Sequence, residues 1–163
     1  MNWILFWLFL HIIAAIIGFG PVFVLPVLAR FGTTHPRHLR FALELSHLLE
    51  TRYVQRIGGT LLISGIGLIW AADINVFQTY YLLVAIVLYV AALGLGGAVL
   101  VPNTQRMLAL TAAHPDGFSS PAEIPAELPA LGQRNAVVGG IATVFLVVIV
   151  LLMIVQPGGI IYR

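Results

Sequence analysis

The chain has 163 residues, 60% of them hydrophobic and 9% charged, with a mean hydropathy of +1.02. A soluble domain carries roughly a quarter charged residues, so the composition excludes a water-exposed globule and assigns the chain to the lipid bilayer. Its length holds about four spans of ~20 residues with their connections, leaving no room for a separate soluble catalytic domain, and a net charge of +2 gives no pointer to nucleic acid.

Residues 3–29 are apolar apart from His11. The run exceeds a signal-peptide core, and no basic residue precedes it, so it is expected to be retained as the first transmembrane helix. Its length demands tilt or a kink, for which Gly18, Gly20, Pro21 and Pro26 supply places. The second span, 57–72, lies between Arg56 and Asp73 and is short for a ~30 Å hydrocarbon core. The polar stretch before it therefore reads as a helical extension into the headgroup layer. From Arg37, the residues Arg40, Glu44, His47 and Thr51 form one stripe, and Phe41, Leu45, Leu48 and Leu49 another, the pattern of an amphipathic surface helix. The third span, 80–101, ends at Pro102-Asn103. The fourth, 136–155, stops at Gln156-Pro157-Gly158-Gly159. Between them Pro115, Pro121, Pro125 and Pro129 predict an irregular connection. The expectation is a single all-α domain over 1–163, a membrane four-helix bundle with an amphipathic extension of its second helix.

Every arginine except Arg163 falls in the two connections that follow spans one and three, or in the extension. By the excess of basic residues in cytoplasmic loops, both connections are expected in the cytoplasm and both termini outside, in a multi-pass cytoplasmic membrane protein of bacterial type. Gly94-Ala98 and Gly139-Thr143 have the four-residue spacing of close helix contacts.

Absence of cysteine excludes disulfides, thiolate metal sites and iron–sulfur clusters. Within the spans His11 is the single ionisable residue. The lack of intramembrane Asp and Glu counts against a proton-coupled pump, and the scarcity of Met and clustered His against copper passage. His11 lies about 12 Å from the outer end of its helix at ~1.5 Å per residue, on a face with Ile4, Trp7, Leu8, Ala14, Ala15, Gly18 and Val22. Two readings are open: a neutral histidine bonded to a carbonyl or hydroxyl of another helix, or an imidazole ligand to the iron of a flat macrocycle. His47 is too far inward to complete a bis-histidine pair in one chain. A sixth ligand would come from Tyr89, Met153 or the His11 of a second protomer, or the position would be empty. His47 reads first as part of a solvated face and second, beside Arg52 and Arg56, as a headgroup, metal or propionate contact; His35, His38 and His114 read as solvent-facing loop residues.

Leu8-Phe9-Leu10-His11-Ile12-Ile13-Ala14-Ala15, with Gly18-Phe19-Gly20, resembles the opening helix of a group of small membrane proteins. The group includes copper-resistance protein D domains, haem-dependent bacterial protoporphyrinogen oxidases, and an uncharacterised family of predicted four-helix integral membrane proteins. Glu50-Thr51-Arg52-Tyr53, Gly65-Ile66-Gly67-Leu68 and Leu152-Met153-Ile154-Val155-Gln156-Pro157-Gly158 resemble the last of these. In the oxidase relatives a first-helix histidine is implicated with haem, a role that would fall on His11. Those enzymes also look to need a basic residue in a later span, which this chain lacks, so the resemblance implies haem binding rather than an enzyme acting alone. The expected function is haem b binding through His11, for electron transfer, haem handling or gas sensing, by a homodimer. The alternative is a cofactor-free scaffold or assembly subunit of a larger membrane complex.

Overall fold

In hydrocarbon every backbone N–H and C=O needs a partner within the chain, so apolar runs of this length fold as helices. The structure is a computed structural model describing residues 2–157; Arg163 and Gly158-Gly159 lie outside the described residues. Four long helices build it: α1 (Trp3–Thr34), α2 (Pro36–Ala71), α3 (Tyr80–Leu110) and α4 (Glu127–Val155). At 29 to 36 residues each exceeds the ~20 needed to cross a bilayer. The surplus of all four lies at the end that carries the arginines. Apolar side chains such as Ile63, Ile66, Trp70 and Ile154 are exposed on the outside of the bundle, the arrangement of a protein whose surroundings are lipid. Asn2 caps α1 by accepting from the Ile4 N–H, and α1 runs unbroken through Pro21 and Pro26.

Two helices depart from regular geometry. In α2 a 3-10 turn (Pro36–His38) and a regular stretch (Leu39–Leu48) lead into a wide π segment (Leu49–Gln55), after which Arg56–Ala71 is regular. In α3 a second π segment (Gly96–Leu100) precedes Val101–Leu110. This π segment explains why the third helix does not end at Pro102-Asn103 as its sequence suggests. Pro102 falls in the first turn of the regular stretch that follows, where a missing N–H is tolerated.

The helices associate as two antiparallel pairs, α1 with α2 and α3 with α4. Lipid tails are as apolar as leucine, so helix pairing in a bilayer depends on close approach. The α1–α2 seam has this character along its length. A Cβ on Gly67 would fall inside the indole of Trp7, one on Gly65 would meet His11 Cε1 at 3.3 Å, and one on Gly18 would meet Ile57 at 3.6 Å. The expected small-residue contacts at Gly94 and Gly139 are not of this kind, because a Cβ at either would find nothing within 4 Å. Thr143 instead donates to the Gly139 carbonyl of its own helix. The two pairs meet in a core of Ala14, Leu61, Ala85, Tyr89, Leu146 and Ile149, where the Tyr89 hydroxyl donates to the Gly58 carbonyl at 2.7 Å.

At the arginine-bearing end the proline-rich connection is packed rather than loose. Phe118 is 0% exposed, in a cluster with Leu39, Leu43, Met107 and Leu128. Its N–H donates to the Pro36 carbonyl. Gly117, at φ +81°, stands so close to the Arg37 carbonyl that no side chain fits. Arg40 donates to the Thr111 carbonyl at 2.9 Å and pairs with Glu44 at the same distance. Both arginine-bearing connections therefore meet at one end. His114, expected in solvent, packs at 4.6 Å against the Phe118 ring with its Nδ1 buried, because the loop folds back on the helix ends. His35 and His38 are exposed and stack on Phe31.

Two predictions follow from this packing. Gly67→Ala lowers the thermal midpoint of the detergent-purified protein, by the ~1–3 kcal/mol that overpacking costs. Gly94→Ala, facing open space, leaves it unchanged or raises it; equal effects at the two glycines would refute the close-approach account of the seam. Phe118→Ala, which empties a water-excluded site worth about 3–5 kcal/mol, exposes the connection between Thr111 and Glu127 to limited proteolysis while the transmembrane helices stay protected.

Candidate functional site

Two ionisable side chains are held within the bundle, at different depths. His11 projects from α1 onto α2, where its Nδ1 lies 3.1 Å from Ser64 Oγ. Ser64 is buried, and its hydroxyl already donates to the Leu61 carbonyl at 3.0 Å. With that hydroxyl on Leu61, Ser64 Oγ accepts from His11 Nδ1–H and Nε2 keeps its lone pair; with the hydroxyl turned onto Nδ1, Nε2 carries the proton instead. Gly65 provides the flat surface on which the ring rests. A nitrogen whose partner nitrogen is fixed by a second-shell acceptor is the usual form of a histidine metal ligand. It is equally the form of a neutral histidine satisfied by a neighbouring helix.

The second is Glu50, in the π segment of α2. It is 7% exposed. Its Oε1 accepts from Thr104 Oγ1 at 3.2 Å. Thr104, 1% exposed, accepts in turn from Asn135 Nδ2 at 3.0 Å, and Asn135 Oδ1 accepts from Asn103 Nδ2 at 3.0 Å. The chain of donors thus runs from α3 through α4 back to α3 and ends on α2 at Glu50. Its other oxygen, Oε2, is buried without a partner. Among the described residues the ion pairs are Arg40 with Glu44 and Arg106 with Glu127, so no cation neutralises Glu50. Nearby, Gln55 donates to the Leu93 carbonyl across the face of Gly96, which brings the two π segments against each other.

Glu50 and Thr104 border a partly open cavity of about 990 Å³ that lies between the helix pairs, from Tyr89 and Leu146 down to Arg30 and Gln133 at the arginine-bearing end. His11 is not among the residues that line it. As a test of the haem expectation, His11 is a residue type that would hold the iron, but the cavity between the helix pairs does not extend to it. Tyr89 and Met153, weighed as sixth ligands, are otherwise engaged: the tyrosine hydroxyl donates to Gly58, and Met153 packs against the core.

His47, Arg52 and Arg56 do not come together with His11. They lie on α2 on the arginine side of Ser64, and His47 is about 25 Å from it along the helix at ~1.5 Å per residue. Arg52 and Arg56 are exposed, and His47 is half-buried with its Nδ1 unpartnered. None of the three lines the cavity. Among the described residues no three His, Asp or Glu side chains converge on a metal-sized site. The Glu50 network is what the sequence reading missed. The expected apolar stripe of the extension was Phe41, Leu45, Leu48 and Leu49, while the buried stripe is Leu39, Leu43, Ser46 and Glu50, with Phe41 and Leu48 outward. The recurrence of Asn103, Thr104 and Asn135 at the arginine-side ends of α3 and α4 is the signal that pointed to it.

Neither the functionally described proteins nor the solved structures contain a match to this chain. A family profile does match, over residues 5–157, nearly the whole of the described bundle. The chain belongs to the DUF2269 family, described as "predicted integral membrane protein".

Proposed function

We propose that the protein binds haem b through His11 and serves electron transfer, haem handling or gas sensing as a homodimer. The observation that carries this reading is the Ser64 contact, which orients the imidazole and, with Ser64 as the acceptor, leaves Nε2 free to bind. His11 lies outside the cavity between the helix pairs, and a second copy of the chain would help to enclose a ring held beside it. Bound there, haem brings a one-electron couple and an open coordination position to a chain with no redox group of its own. The residues that would hold it are His11 as donor and Ser64 as the group that fixes its orientation. A second copy would contribute its own His11, or the site would stay accessible to a small exogenous ligand. With the arginines read as cytoplasmic, the site lies near the outer face of the membrane. The competing reading is a cofactor-free scaffold subunit, which the same Ser64 bond supports by satisfying His11 without any ligand.

Spectra of the purified protein, oxidised and dithionite-reduced, separate the two. The haem reading expects a Soret band, lost in His11→Ala. Ser64→Ala retains the band with a shifted midpoint potential and roughly 10-fold weaker haem affinity, as for other second-shell partners of metal-bound histidine. Protein that stays colourless when haem is supplied during expression overturns the haem reading.

A further inference from the structure

The cavity between the helix pairs opens sideways. Every residue that α2 and α3 give to its wall is buried or half-buried, whereas the exposed ones belong to α1 and α4. On α1 they are Pro26, Ala29, Arg30 and Thr33, at i, i+3, i+4 and i+7; on α4 they include Gln133, Ala136 and Gly140, at i, i+3 and i+7. That spacing is one face of each helix, so two stripes form the rims of a cleft between the first helix and the last. The polar contacts from His11 to Ser64, from Tyr89 to Gly58 and from Asn103 to Asn135 join α1 to α2, α3 to α2 and α3 to α4. None of them crosses from α1 to α4. The rims also carry small residues where side chains could close the gap, and a Cβ on Gly140 would meet nothing within 4 Å.

Depth decides what enters. At ~1.5 Å per residue from Val155, where α4 ends, Gly140 lies about 22 Å into a ~30 Å hydrocarbon core and Gln133 about 33 Å, at its edge. The cleft therefore begins among lipid tails and ends in the headgroup layer at the arginine-bearing end. Its inner wall, with Val22, Leu43, Leu93 and Leu146, is apolar. Water there would lack the two to four polar partners it needs, whereas an acyl chain needs none. At the headgroup end the rims carry a cation and an amide. Arg30 is exposed, and among the described residues the ion pairs belong to Arg40 and Arg106, so its guanidinium has no acidic partner. Glu50, the acid that borders the space, is buried in the α2 wall in its bond with Thr104. A guanidinium fork matches phosphate oxygens, and Gln133 on the other rim offers amide N–H donors. A zwitterionic headgroup brings an ammonium of its own, which offsets the attraction of its phosphate to Arg30; an anionic headgroup does not.

We infer that the cleft between α1 and α4 holds one anionic phospholipid from the leaflet at the arginine-bearing end. Its phosphate rests on Arg30 and Gln133, and an acyl chain passes between the rims into the cavity toward Tyr89. The site is independent of His11 and of any haem bound there.

The test is native mass spectrometry of delipidated, detergent-purified protein titrated with phosphatidylglycerol and with phosphatidylcholine of the same acyl chains. The expected result is one retained lipid per chain, with phosphatidylglycerol preferred about 5-fold, the worth of one arginine at a membrane surface. Arg30→Gln is expected to remove that preference. Arg37→Gln, at an exposed arginine outside the cleft, is expected to keep it. Gly140→Trp and, separately, Ala136→Trp fill the mouth from exposed positions on α4. Each is expected to abolish retention of both lipids at an unchanged thermal midpoint of the lipid-free protein, which shows that it folds. Equal retention of the two lipids by the unmodified protein, or equal loss of preference in the two arginine variants, overturns Arg30 as the headgroup contact. Undiminished retention in either tryptophan variant, or a dimer that retains no lipid, overturns the cleft as a lipid site.

Discussion

The close approach of α1 to α2 is the constraint on which the rest of this bundle depends. In water a helix pair is held by removing apolar surface from solvent, but here the surroundings are apolar too, and attraction comes from packing and from the few polar contacts between helices. Gly67 lets Trp7 sit where a side chain would otherwise stand, and Gly65 lets His11 approach to within 3.3 Å of where a Cβ would be. The same register brings the imidazole of His11 to Ser64. Orientation of the histidine is therefore a consequence of helix approach.

The second pair, α3 and α4, meets the first at a waist rather than along a seam. Tyr89 reaches the Gly58 carbonyl, and a Cβ on Gly58 would sit 3.0 Å from its hydroxyl and 2.8 Å from Leu93. Above that level the core of Ala14, Leu61, Ala85, Leu146 and Ile149 is filled. Below it the pairs part around the cavity until the Phe118 cluster closes the arginine-bearing end. The polar chain from Asn103 to Glu50 crosses this lower part and ties α2, α3 and α4 together. In such surroundings a hydrogen bond is electrostatically stronger than in water, and an unpaired oxygen is correspondingly costly.

Much of this was legible in residue order. Hydropathy located four spans, arginine placement put two connections at one end, and the spacing of Trp7, His11, Ala14 and Gly18 marked the α1 face that meets α2. What was hidden has two physical origins. In the extension of α2 the buried residues Leu39, Leu43 and Ser46 are in regular phase with Glu50, whereas the apolar Phe41 and Leu48 face outward, so hydrophobicity marked the wrong face of an otherwise regular periodicity. In α3 a wide π turn lets the helix continue past Pro102, which a reading that assumes regular turns takes for its end. The glycines illustrate another limit. Gly67 and Gly139 are alike as letters, yet one admits an indole and the other borders a void, a difference that depends on the facing helix.

Both sites hang on α2. Ser64 holds His11 near one end of the regular stretch Arg56–Ala71, and Glu50 meets Thr104 in the π segment before it. Between them is Gly58, gripped by Tyr89. The waist keeps the two sites from sharing an occupant, since the cavity stops at Tyr89 and His11 lies beyond it. It also makes α2 a common mechanical element. A slide of α2 against α1 that broke the Ser64 contact would carry Glu50 past Thr104, whereas a rearrangement confined to the π segment would move Glu50 and leave Ser64 in place. Since a π turn can shorten to a regular one by passing one residue along the helix, the second motion disturbs fewer contacts. The cavity end of α2 is thus the adaptable part of the bundle, and the His11 end, locked by the glycine seam, is the rigid one.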